Sequence, residues 1–186
     1  GFNPHKLKDY LDFTSIHYYP LKLDPWAAPG NTERELNRMR AWLRYVYVGQ
    51  PIMIGEFGWY GGGKVDSYEA ARTEEEHAEW GKALVEASVG NSTAWATWPV
   101  YDSPSSTDIS KFGGLFDKDG NLKAWGRTFD QLARSELLQP RAAGEQTVKL
   151  DMRSLYTDYD AQSAMFRQVM ELLQRNVRVD FEPVYH

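Results

Sequence analysis

Pro51-Ile52-Met53-Ile54-Gly55-Glu56-Phe57-Gly58 is a short apolar run that ends in a carboxylate. Such a run, with no polar alternation, suits a parallel strand covered on both faces. Upstream, Leu36, Met39, Leu43 and Val46 recur at three- and four-residue spacing. That predicts a helix over residues 32–48, capped by Asn31 or Thr32 and ended by Gly49 and Pro51. Further upstream, residues 11–19 are rich in β formers and stop at Pro20, a second strand. Residues 20–31, with three prolines and a glycine, form the loop between them. Downstream of Glu56 lies a Gly-rich loop over residues 57–72. Thr73-Glu74-Glu75-Glu76 then reads as a capping box. It opens a helix to about Ser88 with His77, Trp80, Leu84 and Ala87 on one stripe, and Gly90 stops it. A third strand is expected over residues 92–100, a turn at Asp119-Gly120 and a third helix over residues 122–136. Strand and helix thus alternate three times, which argues for an α/β fold with a parallel sheet. Periodicity alone does not separate a barrel from an open sheet.

The tail differs. Residues 146–150 alternate as a strand, residues 160–176 form an amphipathic helix with Met165, Val169, Leu172 and Leu173 on one face, and residues 177–181 are another strand. This βαβ-like unit follows a Pro140/Gly144 junction, so the expected division is residues 1–138 and an extension of unknown role over residues 139–186. The extension is too small to be expected to fold alone.

Composition narrows the function classes. The chain has 186 residues, enough for one domain or one and a fraction. Its net charge is −5 and no Lys/Arg run occurs, which argues against nucleic acid and anionic membrane as partners. No apolar run approaches the roughly 20 residues of a membrane span. There is no cysteine, so thiolate nucleophiles and Cys-ligated zinc are excluded. His5, His17, His77 and His186 do not pair at metal-ligand spacing, and no metal or cofactor is expected. No Gly-x-Ser-x-Gly elbow occurs. Gly58-Trp59-Tyr60-Gly61-Gly62-Gly63-Lys64-Val65 nearly spells a phosphate-binding loop, but Val65 stands where a magnesium-holding Ser or Thr is needed. Aromatic residues are abundant at 14%, which fits a large core or a sugar cleft. Gly1 is not an initiator Met, so the chain is expected to begin inside a longer protein.

The residues that carry chemistry stand at strand ends. In parallel α/β folds the C-terminal ends of strands face the ligand crevice. Glu56 stands there, either as a functional carboxylate or as a strand-end acid paired with a neighbouring base. His17 and Tyr19 share a face two residues apart near the end of the preceding strand, in a position to meet the same crevice. A tyrosine hydroxyl can hold a carboxylate ionised and oriented. Trp98 lies near the end of the third strand, just before Pro99, while Trp95 is assigned to the core. Trp59 and Tyr60 are candidate subsite walls on a loop whose glycines 61–63 would let it close over substrate.

These strand ends, His17-Tyr18-Tyr19, then Gly55-Glu56-Phe57-Gly58, then Trp98, resemble in order the last three barrel strands of the large glycoside hydrolase clan that includes family 5 cellulases, β-mannanases and related β-glycosidases. Residues 112–120 and Lys123-Ala124-Trp125-Gly126 are similar to the segment entering that family's last helix. The resemblance covers about residues 1–138 and implies the portion of a (β/α)8 barrel around strands six to eight. It implies a retaining β-glycosidase acting on an oligo- or polysaccharide, with Glu56 as nucleophile, Tyr19 hydrogen-bonding it, His17 near the −1 sugar and Trp98 beneath that sugar. Retaining hydrolysis also needs a second carboxyl about 5–5.5 Å away. The family's acid/base Glu follows an Asn on strand four, and this chain contains no Asn-Glu dipeptide. Asp66, Glu69 and Asp102 lie in loops, but none matches the motif. The resemblance therefore leaves the N-terminal part of the barrel to a second chain, or makes this chain a fragment, or makes the barrel an unusual one. In each case the isolated chain is expected to be inactive or nearly so. The alternative is a non-catalytic carbohydrate-binding or assembly fragment of such a barrel.

Overall fold

The computed structural model describes residues 3–19, 32–59, 73–137, 142–175 and 177–185. Three parallel strands form one sheet in the order β1 (Thr14–Tyr18), β2 (Ile52–Phe57), β3 (Ala94–Thr97). A short helix α1 (Pro4–Leu7) and a 3-10 turn (Lys8–Tyr10) precede β1, so the strand is shorter than the sequence suggests. α2 (Thr32–Val46) and α3 (Glu74–Ser88) connect the strands, and α4 (Ala124–Ala133) follows β3. This is the predicted α/β alternation. The crossover helices bury one face of the sheet, as parallel connections require.

The buried face explains the pattern. Along β1 the side chains of Thr14, Ile16 and Tyr18 are buried, while Ser15 and His17 are exposed. Leu36, Met39, Leu43 and Val46 of α2 cover them together with Ile52, Ile54 and Phe57 of β2. The capping box at Thr73 forms as read: Glu76 N–H donates to Thr73 Oγ1 at 3.1 Å and Thr73 N–H to Glu76 Oε2 at 2.8 Å. Trp125 of α4 is fully buried; its ring meets Phe57 edge-on at 5.7 Å, and its Nε1 donates to Thr97 Oγ1 at 2.9 Å. Trp95 also packs against this core, with Nε1 donating to Ser88 Oγ at 2.7 Å. The third strand stops at Thr97, short of the expected residue 100. Pro99 has no N–H to offer a ladder, which is reason enough for the early end.

The tail forms a second, two-stranded parallel sheet of β4 (Gln146–Asp151) and β5 (Val179–Val184). Between them run α5 (Met152–Thr157), begun by the Asp151 carboxylate, and α6 (Tyr159–Gln174), begun by that of Asp158. Val169, Met170 and Leu173 of α6 are buried with Val148 and Leu150 of β4 and Ala41 of α2. Arg44 of α2 also donates to Asp180 of β5 at 2.5 Å. The tail therefore packs on α2.

Candidate active site

β1 and β2 are out of simple register where it matters. Ile16 pairs with Ile54, but His17 pairs with Glu56, so Gly55 is an extra residue on β2. A bulge of this kind re-aims the side chain that follows it. Here it places Glu56 opposite His17, on the face that β1 leaves uncovered. A Cβ on Gly55 would lie 2.3 Å from Ser15 Oγ, so a larger residue there would have to turn that hydroxyl aside. Gly58 is constrained more strictly, by backbone: a Cβ there would lie 2.3 Å from the Trp98 carbonyl oxygen. Trp98 N–H donates to Phe57 O at 2.8 Å, so the third strand end is tied directly beside Glu56.

Two donors meet the Glu56 carboxylate. Tyr19 Oη–H donates to Oε2 at 2.9 Å, and His17 Nδ1 stands 3.1 Å from the same oxygen. A carboxylate only accepts, so His17 Nδ1 carries the hydrogen in this contact. Oε1 has no partner among the described residues. The side chain is 32% exposed, within reach of a ligand entering the crevice. Burial, the hydrogen bond to Glu56 and the negative charges of Glu56 and Asp108 push the Tyr19 hydroxyl above its usual pKa. It therefore remains a donor throughout the neutral range. The arrangement fixes one carboxylate oxygen and leaves the other available.

Trp98 is 47% exposed, so its ring presents open surface at the end of β3. Its Nε1–H donates to Ser110 Oγ at 3.2 Å. Trp59 behaves differently from Trp98. Its ring meets Trp80 edge-on at 5.1 Å and packs against the core, and its backbone N–H donates to His77 Nε2 at 3.2 Å. Tyr60, Asp66, Glu69 and glycines 61–63 lie outside the described residues. Asp102 is committed elsewhere: its carboxylate accepts from Lys123 Nζ at 2.8 Å and from Gly114 N–H at 2.7 Å. The sequence marks Lys123 only as part of a helix entry and does not single out Asp108. Lys123 is 4% exposed and braces the loop between β3 and α4 by also donating to Phe112 O at 2.7 Å. No group of three metal-ligating side chains occurs among the described residues.

His77 is buried under Trp125 at 5.4 Å, and burial, aided by the nearby Lys123 charge, lowers its pKa from 6.5 to about 3. An unfolded chain takes up a proton near pH 6.5 that the folded one refuses down to about pH 3. Stability is therefore lost as the pH falls through that window and is unaffected above it. The expected loss from this one group is about 2 kcal/mol by pH 5. Urea unfolding of the protein and of His77→Gln at pH 7 and pH 5 checks it; equal losses in both would place the effect elsewhere.

No protein-family model matches this sequence, and no curated protein matches it. Solved structures do. A glycoside hydrolase of family 5, subfamily 18, from Bifidobacterium longum subsp. longum, crystallised as a Glu-to-Ala variant with Manβ1-4GlcNAc, superposes with a TM-score of 0.65 at 22% identity over 92% of this chain. The subfamily 18 enzyme from Bifidobacterium longum subsp. infantis gives 0.65 at 20% over 92%. The Streptomyces cattleya enzyme, also with Manβ1-4GlcNAc, gives 0.53 at 18% over 82%. The chain spans 43% of the length of the Bifidobacterium structures and 39% of the Streptomyces one. It thus has the fold of part of a family 5-like barrel. A match over 92% takes in most of residues 139–186 as well.

Proposed function

We propose that the chain is the strand six to eight portion of a retaining β-glycosidase, with Glu56 as its nucleophile. The observation that carries the reading is the Glu56 carboxylate: Tyr19 and His17 hold Oε2 at 2.9 and 3.1 Å, leaving Oε1 to attack. The donors disperse charge on the oxygen that does not react, and they orient the one that does. Oε1 bonds to the anomeric carbon as the leaving group departs, and water later cleaves the resulting ester. Trp98 offers its exposed face as the floor of the adjoining subsite. The substrate is a β-linked oligo- or polysaccharide, and β-mannosides come first because related structures hold Manβ1-4GlcNAc. The acid/base lies outside the described residues, on the remainder of the barrel, carried by a longer polypeptide or by a second chain. Residues 1–138 supply the barrel part and residues 139–186 the extension docked on α2.

A fluorosugar tests this. In a 2-deoxy-2-fluoro-β-mannosyl fluoride the C1–F bond breaks without an acid, and the C2 fluorine slows hydrolysis of the product. Incubated with the protein carrying the whole barrel, it should add one fluoroglycosyl group, mapped to the peptide containing Glu56. A rival reading, a non-catalytic sugar-binding or assembly fragment, is favoured by the commitment of Asp102 to Lys123 and not to the crevice. Reversible binding with no covalent adduct would establish that rival.

A further inference from the structure

The loop after β3 carries a second carboxylate to the crevice. Asp108 Oδ1 accepts from Ser106 Oγ–H at 2.7 Å and from Ser110 N–H at 2.7 Å, and Asp108 N–H donates back to Ser106 Oγ at 3.2 Å. Ser103 N–H donates to Ser110 O at 2.8 Å, closing the loop on itself. Ser110 is the residue whose Oγ receives the Trp98 indole N–H. Asp108 is therefore one hydrogen-bonded link from the exposed indole, and its Oδ2 has no partner among the described residues. Ile109 between them reaches over Gly58, two residues after Glu56, where a Cβ would meet its Cδ1 at 3.7 Å. The loop is thus fastened to the end of β2 as well as to Trp98.

We propose that Asp108 is a specificity-determining residue: its free oxygen accepts a hydroxyl of the sugar seated on Trp98, and its charge beside that of Glu56 excludes uronic acids. This rests on the glycosidase reading above. Three features favour it. A knotted loop presents the carboxylate rigidly, so a sugar hydroxyl meets a preformed acceptor. The hydrogen bonds from Ser106 and Ser110 hold the Asp108 pKa below the ordinary carboxylate range, so it stays charged wherever a glycosidase works. Its charge is also felt at the Tyr19 hydroxyl, the same group that binds Glu56. A sugar there faces two anions, Glu56 and Asp108, whose charges both act on Tyr19. A neutral sugar gains a charged acceptor; a uronate brings a third negative charge to the crevice.

The test uses dinitrophenyl glycosides, whose leaving group needs no acid, on the protein with its complete barrel. The measured quantity is kcat/KM for the β-mannoside divided by that for the β-mannuronide. Asp108→Asn keeps the shape and the Oδ1 acceptor but removes the charge, and should lower this ratio by about tenfold or more. Ser106→Ala loosens the same loop yet keeps the charge, and should leave the ratio where it is. A ratio unchanged in Asp108→Asn, with turnover that still depends on Glu56, overturns the assignment of Asp108 alone. Equal falls in both variants overturn it too, since loop order and not charge would then set the preference. Absence of Glu56-dependent turnover in the parent protein overturns the glycosidase reading and this one with it.

Discussion

Glu56→Gln should lower turnover of an activated β-mannoside by about four orders of magnitude or more, while sugar affinity stays near that of the parent protein. The amide has the volume of the carboxylate, and its carbonyl oxygen can still accept from Tyr19 and His17, which meet Oε2 at 2.9 and 3.1 Å. What it lacks is a nucleophilic anion at the Oε1 position. A dinitrophenyl leaving group departs without protonation, so the missing acid/base does not mask the loss. Glu56→Ala extends the argument. Azide would fill the vacated space, attack the anomeric carbon directly, and give an α-glycosyl azide from a β-glycoside with one inversion. An acid/base residue replaced in the same way would instead yield the β-azide, because the first displacement would still occur. The stereochemistry of the product thus assigns the role of Glu56 independently of the rate. Turnover that survives Glu56→Gln, measured with residual parent protein excluded by mass, would remove Glu56 from the reaction.

Much of this site was legible because it rests on short-range pattern. An apolar run ending in Glu56 marks a buried parallel strand, and the spacing of His17 and Tyr19 puts both near its partner strand's end. The bulge at Gly55 was not legible, although it is what sets Glu56 opposite His17. A single inserted residue leaves no periodic trace, and its sequence mark is one glycine among fifteen. The short helices α1 and α5, of four and six residues, fall below the window in which a 3.6-residue period can be seen. Trp59 and Trp98 look alike in sequence, and both follow a strand end, yet one ring lies on Trp80 of α3 and the other is open. Asp108 did have a signal: Ser106-Thr107-Asp108-Ile109-Ser110 is rich in the residue types that bind their own backbone in turns. Such residues are common in any polar loop, so the types alone do not single out Asp108.

Lys123→Met should cost the fold about 3–5 kcal/mol, the effect of stranding one member of a buried ion pair. Lys123 and Asp102 are 4% and 11% exposed and meet at 2.8 Å. Removing the ammonium leaves the Asp102 carboxylate with Gly114 N–H as its remaining donor, and leaves Phe112 O without the Lys123 hydrogen bond. Removing both charges should cost much less, since Asn at position 102 can still accept from Gly114 while no uncompensated ion remains. Urea unfolding of Lys123→Met, Asp102→Asn and the double variant separates these terms, because the double should be more stable than Lys123→Met alone. The pair also spans the loop whose members Asp108 and Ser110 reach Trp98, from Asp102 at its start to Lys123 at the mouth of α4. Loss of the brace should therefore weaken sugar binding at Trp98 in Lys123→Met and in the double variant alike, since both lack the contacts of Lys123 to Asp102 and Phe112. If the single variant costs under about 1 kcal/mol, water reaches the pair, and the order of the loop must come from the Ser106–Asp108–Ser110 knot alone.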